Sequence, residues 1–213
     1  LDHNATIFVV DDDPAILKAL SRLLRSHQLQ VQTFQSARSF LDQHDESVPG
    51  CLILDIAMPD VSGLEVQRVL KSADSQRPIV FLTGNSDVPN AIRAMRSGAV
   101  NFLIKPVNSK ILLEAVGEAL EKDRQDRATR AELLSAETRL AALTPREREV
   151  LSYVAKGLLN KQIAVELGPV EKTIKVDRSR VMHKMGVRSL AELVRVAGRG
   201  PRPSPAAGSN AWR

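Results

Sequence analysis

Reactive polar side chains follow four short apolar runs in the first half of the chain. They are three carboxylates, a hydroxyl and an ammonium, contributed by Asp11, Asp12, Asp55, Thr83 and Lys105. Carboxylates supply the oxygen ligands that Mg²⁺ prefers, and a carboxylate can also accept a phosphoryl group as a nucleophile. This set of residue types therefore suits a hard cation together with a phosphoryl group.

The carboxylates predict a magnesium site, with Mn²⁺ as the alternative ion. Asp12 and Asp55 are the predicted ligands, because Mg²⁺ is usually held by one or two carboxylates plus waters and phosphate oxygens. Asp11 precedes Asp12 in the chain and is expected to hydrogen-bond to water on the metal. The backbone carbonyl of Ala57, just past Asp55, is predicted to supply a further oxygen.

The same residues predict phosphoryl chemistry. Asp55 is the predicted phosphoacceptor, since its carboxylate can form an acyl phosphate. The Lys105 ammonium would place a fixed positive charge next to the phosphoryl oxygens, and Thr83 would donate a hydrogen bond to them. Each residue taken alone could be an ordinary strand-end or turn residue. Four such positions after four apolar runs favour one shared site.

Five repeats of a strand followed by a helix would position these side chains. The strands are predicted near residues 6–10, 30–34, 51–55, 79–82 and 101–104. The helices are predicted near residues 14–26, 36–44, 63–73, 88–97 and 108–120. This alternation predicts an α/β fold with a doubly wound, five-stranded parallel sheet. Ligands bind such sheets outside the carboxyl ends of the strands, which is where the reactive side chains fall.

Over residues 5–120, the chain resembles the receiver domain of two-component response regulators, which has a flavodoxin-like fold. The matching segments are Val-Val-Asp-Asp-Asp, Leu-Asp-Ile-Ala-Met-Pro-Asp-Val-Ser-Gly, Phe-Leu-Thr-Gly and Phe-Leu-Ile-Lys-Pro. The resemblance implies that a partner histidine kinase transfers a phosphoryl group to Asp55. It also implies that Asp11 and Asp12 hold Mg²⁺.

The resemblance further implies a switch. Phosphorylation would draw Thr83 inward, and Phe102 would follow from an outward to an inward rotamer. Lys105 is implied to precede a cis peptide bond to Pro106. One segment departs from the family pattern, because Asn85-Ser86 stands where His-Gly is expected.

The charge distribution predicts two domains. Residues 1–120 carry 11 Lys+Arg and 14 Asp+Glu, whereas residues 144–199 carry 12 Lys+Arg and 6 Asp+Glu. A basic second half indicates a polyanionic partner such as nucleic acid. We expect a phosphoacceptor domain over 1–120, a helical, solvent-exposed linker over 121–143, a DNA-binding domain over 144–199 and a disordered tail over 200–213.

The second half is predicted to be a small all-α domain with a helix-turn-helix. Thr144, Pro145 and Glu147 form a helix-start pattern, and Asn160 is predicted to cap the next helix. A third helix over 171–185 presents side chains that could reach DNA bases or phosphates; they are Lys172, Lys175, Val176, Arg178, Ser179 and Arg180. A small bundle that binds another protein is the alternative.

Residues 140–198 resemble the LuxR-type DNA-binding domain, through Leu-Thr-Pro-Arg-Glu-Arg-Glu-Val-Leu, Asn-Lys-Gln-Ile-Ala, Thr-Ile-Lys-Val and Met-Gly-Val. The resemblance implies that base edges are met by Lys175, Val176 and Ser179. It implies that phosphates are met by Lys161, Lys172, Arg178 and Arg180. A helix over 189–198 would form the dimer contact between two DNA-binding domains.

Two positions depart from the LuxR-type pattern. Val170 stands where a Ser or Thr helix cap is common, so some cap stabilisation (about 1 kcal/mol) and one phosphate contact would be missing. Asp177 stands where a His is common. We therefore expect a negative charge on the face that reads DNA.

Together the two halves resemble a response regulator of the NarL/FixJ group, and also regulators of aromatic-hydrocarbon catabolism such as the styrene regulator. Such a protein is a transcription factor and not an enzyme, apart from slow phosphorylation by small phosphodonors and slow autodephosphorylation. Phosphorylation would favour a homodimer on promoter DNA, with RNA polymerase as a further partner. The sequence lacks a signal peptide pattern and any apolar run near the roughly 20 residues that span a bilayer. A bacterial cytoplasmic location is expected.

Two other functions remain open at the level of sequence. The first is a phosphohydrolase with an aspartate nucleophile, since Asp11 and Asp13 also form an Asp-x-Asp pattern. It would leave Asp55 and the basic half unexplained. The second is a constitutive DNA-binding regulator that uses its first domain only to dimerise. It predicts that Asp55→Asn leaves DNA affinity unchanged.

Overall fold

The computed structural model describes residues 4–84, 88–168 and 170–197. Asn85, Ser86 and the predicted tail over 200–213 lie outside these ranges. The chain separates into two compact units, Leu1–Arg127 and Ala128–Arg213. Within the described ranges, no helix is both long enough and apolar enough to span a membrane.

The first unit has the predicted α/β architecture. Its strands are β1 (Thr6–Val10), β2 (Gln30–Phe34), β3 (Gly50–Asp55), β4 (Ile79–Thr83) and β5 (Asn101–Ile104). Its helices are α1 (Pro14–Ser26), α2 (Ala37–Gln43), α3 (Gly63–Ser72), α4 (Val88–Arg96) and α5 (Ser109–Ala141), which continues into the second unit. All strands pair in parallel in the order β2-β1-β3-β4-β5. The prediction of a doubly wound five-stranded sheet is confirmed.

The sheet is buried on both faces because successive side chains of a strand point to opposite sides. On one face, Ile7 and Val9 of β1 pack with the apolar sides of α1 and α5. On the other face, Phe8 and Val10 pack with residues of α2, α3 and α4. Burying each such side chain stabilises the folded state by about 1.5–3 kcal/mol. The central strands therefore hold the residues at their ends in fixed positions.

The first turns of the predicted linker belong to this unit. The Asp123 carboxylate is buried and accepts hydrogen bonds from the Gly50 N–H at 2.9 Å and from Arg127 Nε at 2.9 Å. The Arg127 guanidinium also donates to the carbonyl oxygens of Glu46, at 2.7 Å, and Val48, at 2.9 Å. The expected solvent exposure is therefore wrong for Asp123 and Arg127, because both side chains pack against the loop before β3.

The second unit contains the end of α5 and four shorter helices. They are α6 (Pro145–Ala155), α7 (Asn160–Leu167), α8 (Glu171–Lys184) and α9 (Leu190–Ala197). Their shared core includes Leu143, Val150, Val154, Ile163, Ile174, Val181, Met185 and Leu193. The two adjacent helices α7 and α8, joined at Gly168 in the left-handed conformation (φ 85°), form the predicted helix-turn-helix. The small all-α domain is confirmed.

Helix starts in this unit agree with the prediction at one position and differ at another. Thr144 and Glu147 form the predicted capping box, with Thr144 Oγ1 accepting from the Glu147 N–H at 3.2 Å and Glu147 Oε2 from the Thr144 N–H at 2.8 Å. The prediction that Asn160 caps α7 is wrong, since Leu159 is the cap residue. The Asn160 amide oxygen instead accepts a hydrogen bond from Arg178 at 3.1 Å.

Candidate functional site

The candidate phosphoacceptor site lies at the carboxyl edge of the sheet. Asp11 follows β1, Asp55 ends β3, Thr83 ends β4 and Lys105 follows β5. Because these strands are parallel, their carboxyl ends share one edge. Asp11, Asp55 and Thr83 are nearly inaccessible to solvent, with 1%, 5% and 3% of their surfaces exposed.

Lys105 joins the two buried carboxylates. Its Nζ lies 2.6 Å from Asp11 Oδ2 and 3.0 Å from Asp55 Oδ2. Burial raises the pKa of Asp11, although the hydrogen bond from Lys105 opposes this effect. Burial also disfavours charge on Lys105, but hydrogen bonds to Asp11 and Asp55 outweigh it and raise the pKa of the ammonium above 10.5. The site therefore favours the charged form of Lys105 beside Asp55.

The carboxylates suit a divalent metal ion. One oxygen from each of Asp11, Asp12 and Asp55 lies within 4.8 Å of the other two. Asp12 is exposed, so an ion held here would keep contact with water. Oxygen ligands in this number and charge fit Mg²⁺. Ala57 lies beside the group, with its N–H donating to Asp55 Oδ1 at 3.4 Å.

The residues of the predicted switch lie on neighbouring strands. The Lys105 N–H donates to the carbonyl oxygen of Thr83 at 2.7 Å, and the Lys105–Pro106 peptide bond is cis, as the resemblance implied. Phe102 is half-buried and packs against the apolar cluster beneath α4. Thr83 and Phe102 therefore lie on the paired strands β4 and β5. Helix α4 is the next element after β4 in the chain.

Asp13 has a structural function at this edge that the sequence analysis did not assign. Its carboxylate accepts a hydrogen bond from the Ala15 N–H at 2.7 Å and caps α1, with Pro14 as the first helical residue. The signal was present in the sequence, since Asp before Pro is a common helix start. The Asp13 N–H also donates to Asp11 Oδ1 at 3.0 Å, which helps to fix that carboxylate.

The candidate DNA interface is one face of α8. Positions that recur every three or four residues share a face of a helix. Such positions in α8 are exposed, namely Lys172, Lys175, Val176, Ser179 and Arg180, and Lys161 of α7 is exposed as well. Arg178 is half-buried and bonded to Asn160, so it is less available to DNA than expected. Val170 makes no side-chain cap at the start of α8, in agreement with the expected departure.

Asp177 differs from expectation. Its side chain is buried and does not lie on the exposed face of α8. The carboxylate faces Arg146 of α6, with Oδ2 at 3.9 Å from Nε, and Arg180, with Oδ1 at 3.8 Å from NH1. The expectation of a free negative charge on the reading face is therefore wrong, because two guanidinium groups surround it.

Comparisons with known proteins assign each half of the chain to a protein family. Residues 7–117 match the response regulator receiver domain, and residues 141–197 match the bacterial regulatory proteins of the luxR family. The chain therefore belongs to the response regulators that join a receiver to a LuxR-type DNA-binding domain. Members of this family are transcriptional regulators, and their control mechanism is phosphorylation.

Individual relatives span nearly the whole chain. The response regulator protein TodT of Pseudomonas putida is 44% identical over 198 residues, which cover 93% of this chain and 87% of TodT. The transcriptional regulatory protein FixJ of Azorhizobium caulinodans is 40% identical, covering 92% and 93%. Among solved structures, a low-resolution structure of the response regulator StyR is 42% identical with a TM-score of 0.85, covering 92% of this chain and 99% of StyR.

Proposed function

We propose that this protein accepts a phosphoryl group on Asp55 from a sensor histidine kinase and thereby controls its own binding to promoter DNA. The observation that carries the proposal is the contact of Lys105 with both Asp11 and Asp55 at one sheet edge, 3.0 Å from the proposed acceptor. A fixed cation at this position stabilises the charge that develops on the phosphoryl oxygens during transfer.

In the transfer step, an Asp55 carboxylate oxygen attacks phosphorus, the P–N bond of the kinase phosphohistidine breaks, and an acyl phosphate forms on Asp55. Asp11, Asp12 and Asp55, with the Ala57 carbonyl, would hold Mg²⁺ or Mn²⁺. When bound, the metal would offset the repulsion between the carboxylates and the incoming phosphoryl group. The Thr83 hydroxyl donates a hydrogen bond to the phosphoryl group. Phe102 then changes from an outward to an inward rotamer as Thr83 moves inward.

In this proposal the domains follow the sequence boundaries, with a receiver over 1–120, a helical linker over 121–143 and a DNA-binding domain over 144–199. Phosphorylation favours a homodimer, in which α9 joins two DNA-binding domains on paired half-sites. Base edges are met by Lys175, Val176 and Ser179, and phosphates by Lys161, Lys172, Arg178 and Arg180. A dimer doubles the phosphate contacts, so its affinity rises and depends more steeply on salt.

The partners are then a histidine kinase, double-stranded promoter DNA and RNA polymerase, in the bacterial cytoplasm. The protein acts as a regulator, and its own chemistry is limited to slow phosphorylation by small phosphodonors and slow autodephosphorylation. The resemblance of both halves of the sequence to regulators of aromatic-hydrocarbon catabolism supports genes of that kind as targets.

The test is incubation of the full chain with acetyl phosphate and Mg²⁺, followed by intact mass and light-scattering mass. We expect one phosphoryl adduct and a shift from monomer to dimer in the wild type, and neither in Asp55→Asn. Asp74→Asn is the matched control, because Asp74 is an exposed carboxylate with a positive φ of 57° that Asn tolerates.

Two other outcomes would revise the proposal. An adduct without dimer formation would support Asp55 as the acceptor. It would mean that phosphorylation controls DNA binding by releasing the DNA-binding domain, and not by forming a dimer. An adduct that persists in Asp55→Asn would contradict the assignment by showing a different acceptor residue. No adduct on the wild type would favour constitutive DNA binding.

A further inference from the structure

A basic cleft lies between α3 and α4, away from the phosphoacceptor site. Its volume is about 350 Å³, and four cationic side chains line it: Arg68 and Lys71 from α3, and Arg93 and Arg96 from α4. Among the residues that the structure describes, no carboxylate lines it. This is unexpected in a domain where residues 1–120 contain more Asp+Glu than Lys+Arg, at 14 against 11.

The floor of the cleft is a fixed polar contact. Gln67 of α3 is 6% exposed, and its Nε2 donates to the carbonyl oxygen of Ala94 in α4 at 3.2 Å. This bond holds the two helices at a set distance below the cationic side chains. The helices that carry the cationic side chains are therefore joined directly by a buried hydrogen bond.

None of the four cations makes a direct ion pair with a described carboxylate. Within residues 4–84, 88–168 and 170–197, no ion pair joins Arg68, Lys71, Arg93 or Arg96 to a carboxylate. Glu65, one turn before Arg68, is hydrogen-bonded to the N–H and hydroxyl of Ser62, at 2.9 and 2.8 Å, and attracts Arg68 without a direct ion pair. Four like charges in one cleft repel one another, and a bound anion would relieve that repulsion.

Helix termini explain only part of this arrangement. Lys71 and Arg96 lie in the last turns of α3 and α4, where cations complement the negative end of the helix dipole. Arg93 lies in the last turn of α4 as well, whereas Arg68 precedes the end of α3 by four residues, so the dipole effect weakens at Arg68. The dipole effect therefore does not account for Arg68, and it does not explain why cations from two helices line the same cleft.

We propose that the α3–α4 cleft binds a small multivalent phosphate anion. Three of its four cations are arginines, whose planar guanidinium groups match phosphate oxygens in two-pronged hydrogen bonds. The volume also falls within the range of roughly 300–1,000 Å³ that is typical of small-molecule sites. The ligand class is a di- or triphosphate group, either free or carried by a small molecule.

The experiment is calorimetric titration of the full chain with sodium tripolyphosphate, without divalent cations. We expect the R68Q/R96Q variant to bind at least about tenfold more weakly than the wild type, since it loses two charge-assisted contacts. R22Q/K110Q removes the same total charge from exposed positions of α1 and α5. It should keep wild-type affinity within about twofold, because distant exposed charges are largely screened.

A further variant separates the cleft from the basic DNA-binding half. K172Q/K175Q removes two exposed cations of α8 and should leave the cleft's affinity unchanged. Equal losses in R68Q/R96Q and R22Q/K110Q would show unspecific attraction and overturn the proposal. A loss confined to K172Q/K175Q would also overturn it, by assigning the binding to α8. Unchanged thermal unfolding of each variant without ligand confirms that the fold is retained.

Discussion

The Asp123 carboxylate accepts a hydrogen bond from the Gly50 N–H at 2.9 Å, between residues 73 positions apart. Gly50 begins β3 with φ 146°, and a Cβ added there would lie 1.8 Å from the Thr6 carbonyl oxygen. A larger residue would clash with the Thr6 backbone, so this conformation of β3, with its N–H directed to Asp123, requires glycine. The contact fastens the continuing part of α5 to the amino edge of the sheet.

Replacing Asp123 with alanine should destabilise the first unit. The substitution leaves the Gly50 N–H and the Arg127 guanidinium without their buried acceptor, which costs about 2 kcal/mol. Urea unfolding of the full chain measures the change. Asp126→Ala is the matched control, because Asp126 forms an exposed pair with Lys122 in the same helix, worth less than about 1 kcal/mol. Equal effects of the two substitutions would show that the Asp123 contact does not stabilise the fold.

Asp123 also illustrates what the sequence could and could not predict. The strands and the reactive residues at their ends were predictable, because parallel strands have runs of buried residues and place their ends on one edge. Asp123 and Arg127 continue the apolar stripe of α5 as charged residues, which suggested exposure. Their burial depends on carbonyl and N–H groups of the loop before β3, and no local pattern in α5 encodes those partners.

The sequence-based predictions for Asp177 and Asn160 were wrong for a related reason. Each is a residue type with a strong local preference, Asn for helix caps and Asp for solvent. In the structure, Arg178 binds Asn160, and Arg146 and Arg180 surround Asp177. In both cases an arginine from a neighbouring helix, Arg178 for Asn160 and Arg146 for Asp177, thus overrides the local preference.

Thr83→Val should separate phosphorylation from its effect on DNA binding. Thr83 is buried at the end of β4, and valine has nearly the same shape without the hydroxyl donor. We expect the phosphoryl adduct to form on Asp55, whereas the gain in DNA affinity on phosphorylation falls by about tenfold, as loss of one charge-assisted hydrogen bond implies. Intact mass and fluorescence anisotropy measure the two quantities. Thr33→Val, at an exposed position of β2, should preserve both.

Lys172→Gln and Asp177→Asn should have different effects on DNA binding. Lys172 is exposed at the start of α8, so its loss should lower the affinity for all sequences and reduce the slope of log K against log salt by about 1. Asp177 is buried between Arg146 and Arg180, so Asp177→Asn should leave the slope and the preferred operator unchanged. Salt titrations on the same DNA fragments compare the two variants. A change of operator preference in Asp177→Asn would contradict the buried position of this side chain.

The stability of the second unit should depend on the charge of Glu147. The hydrogen bond from Lys184, at 2.7 Å, and that from the Thr144 N–H lower the pKa of Glu147 from its ordinary value. A lowered pKa in the folded state contributes stability that is present above the unfolded value of about 4.3 and is lost as the pH falls through the folded value.

Glu147→Gln should therefore be less stable than the wild type at pH 7, and the difference should vanish in acid. Glutamine can still accept the Thr144 N–H and complete the capping box, so the comparison isolates the charge. Near-ultraviolet circular dichroism of Tyr153, the single tyrosine of the chain, follows the unfolding of this unit. Glu149→Gln, at an exposed position of the same helix, should retain the wild-type acid dependence. An unchanged difference between wild type and Glu147→Gln from pH 7 to below 4 would mean that the Lys184 pair contributes nothing to stability.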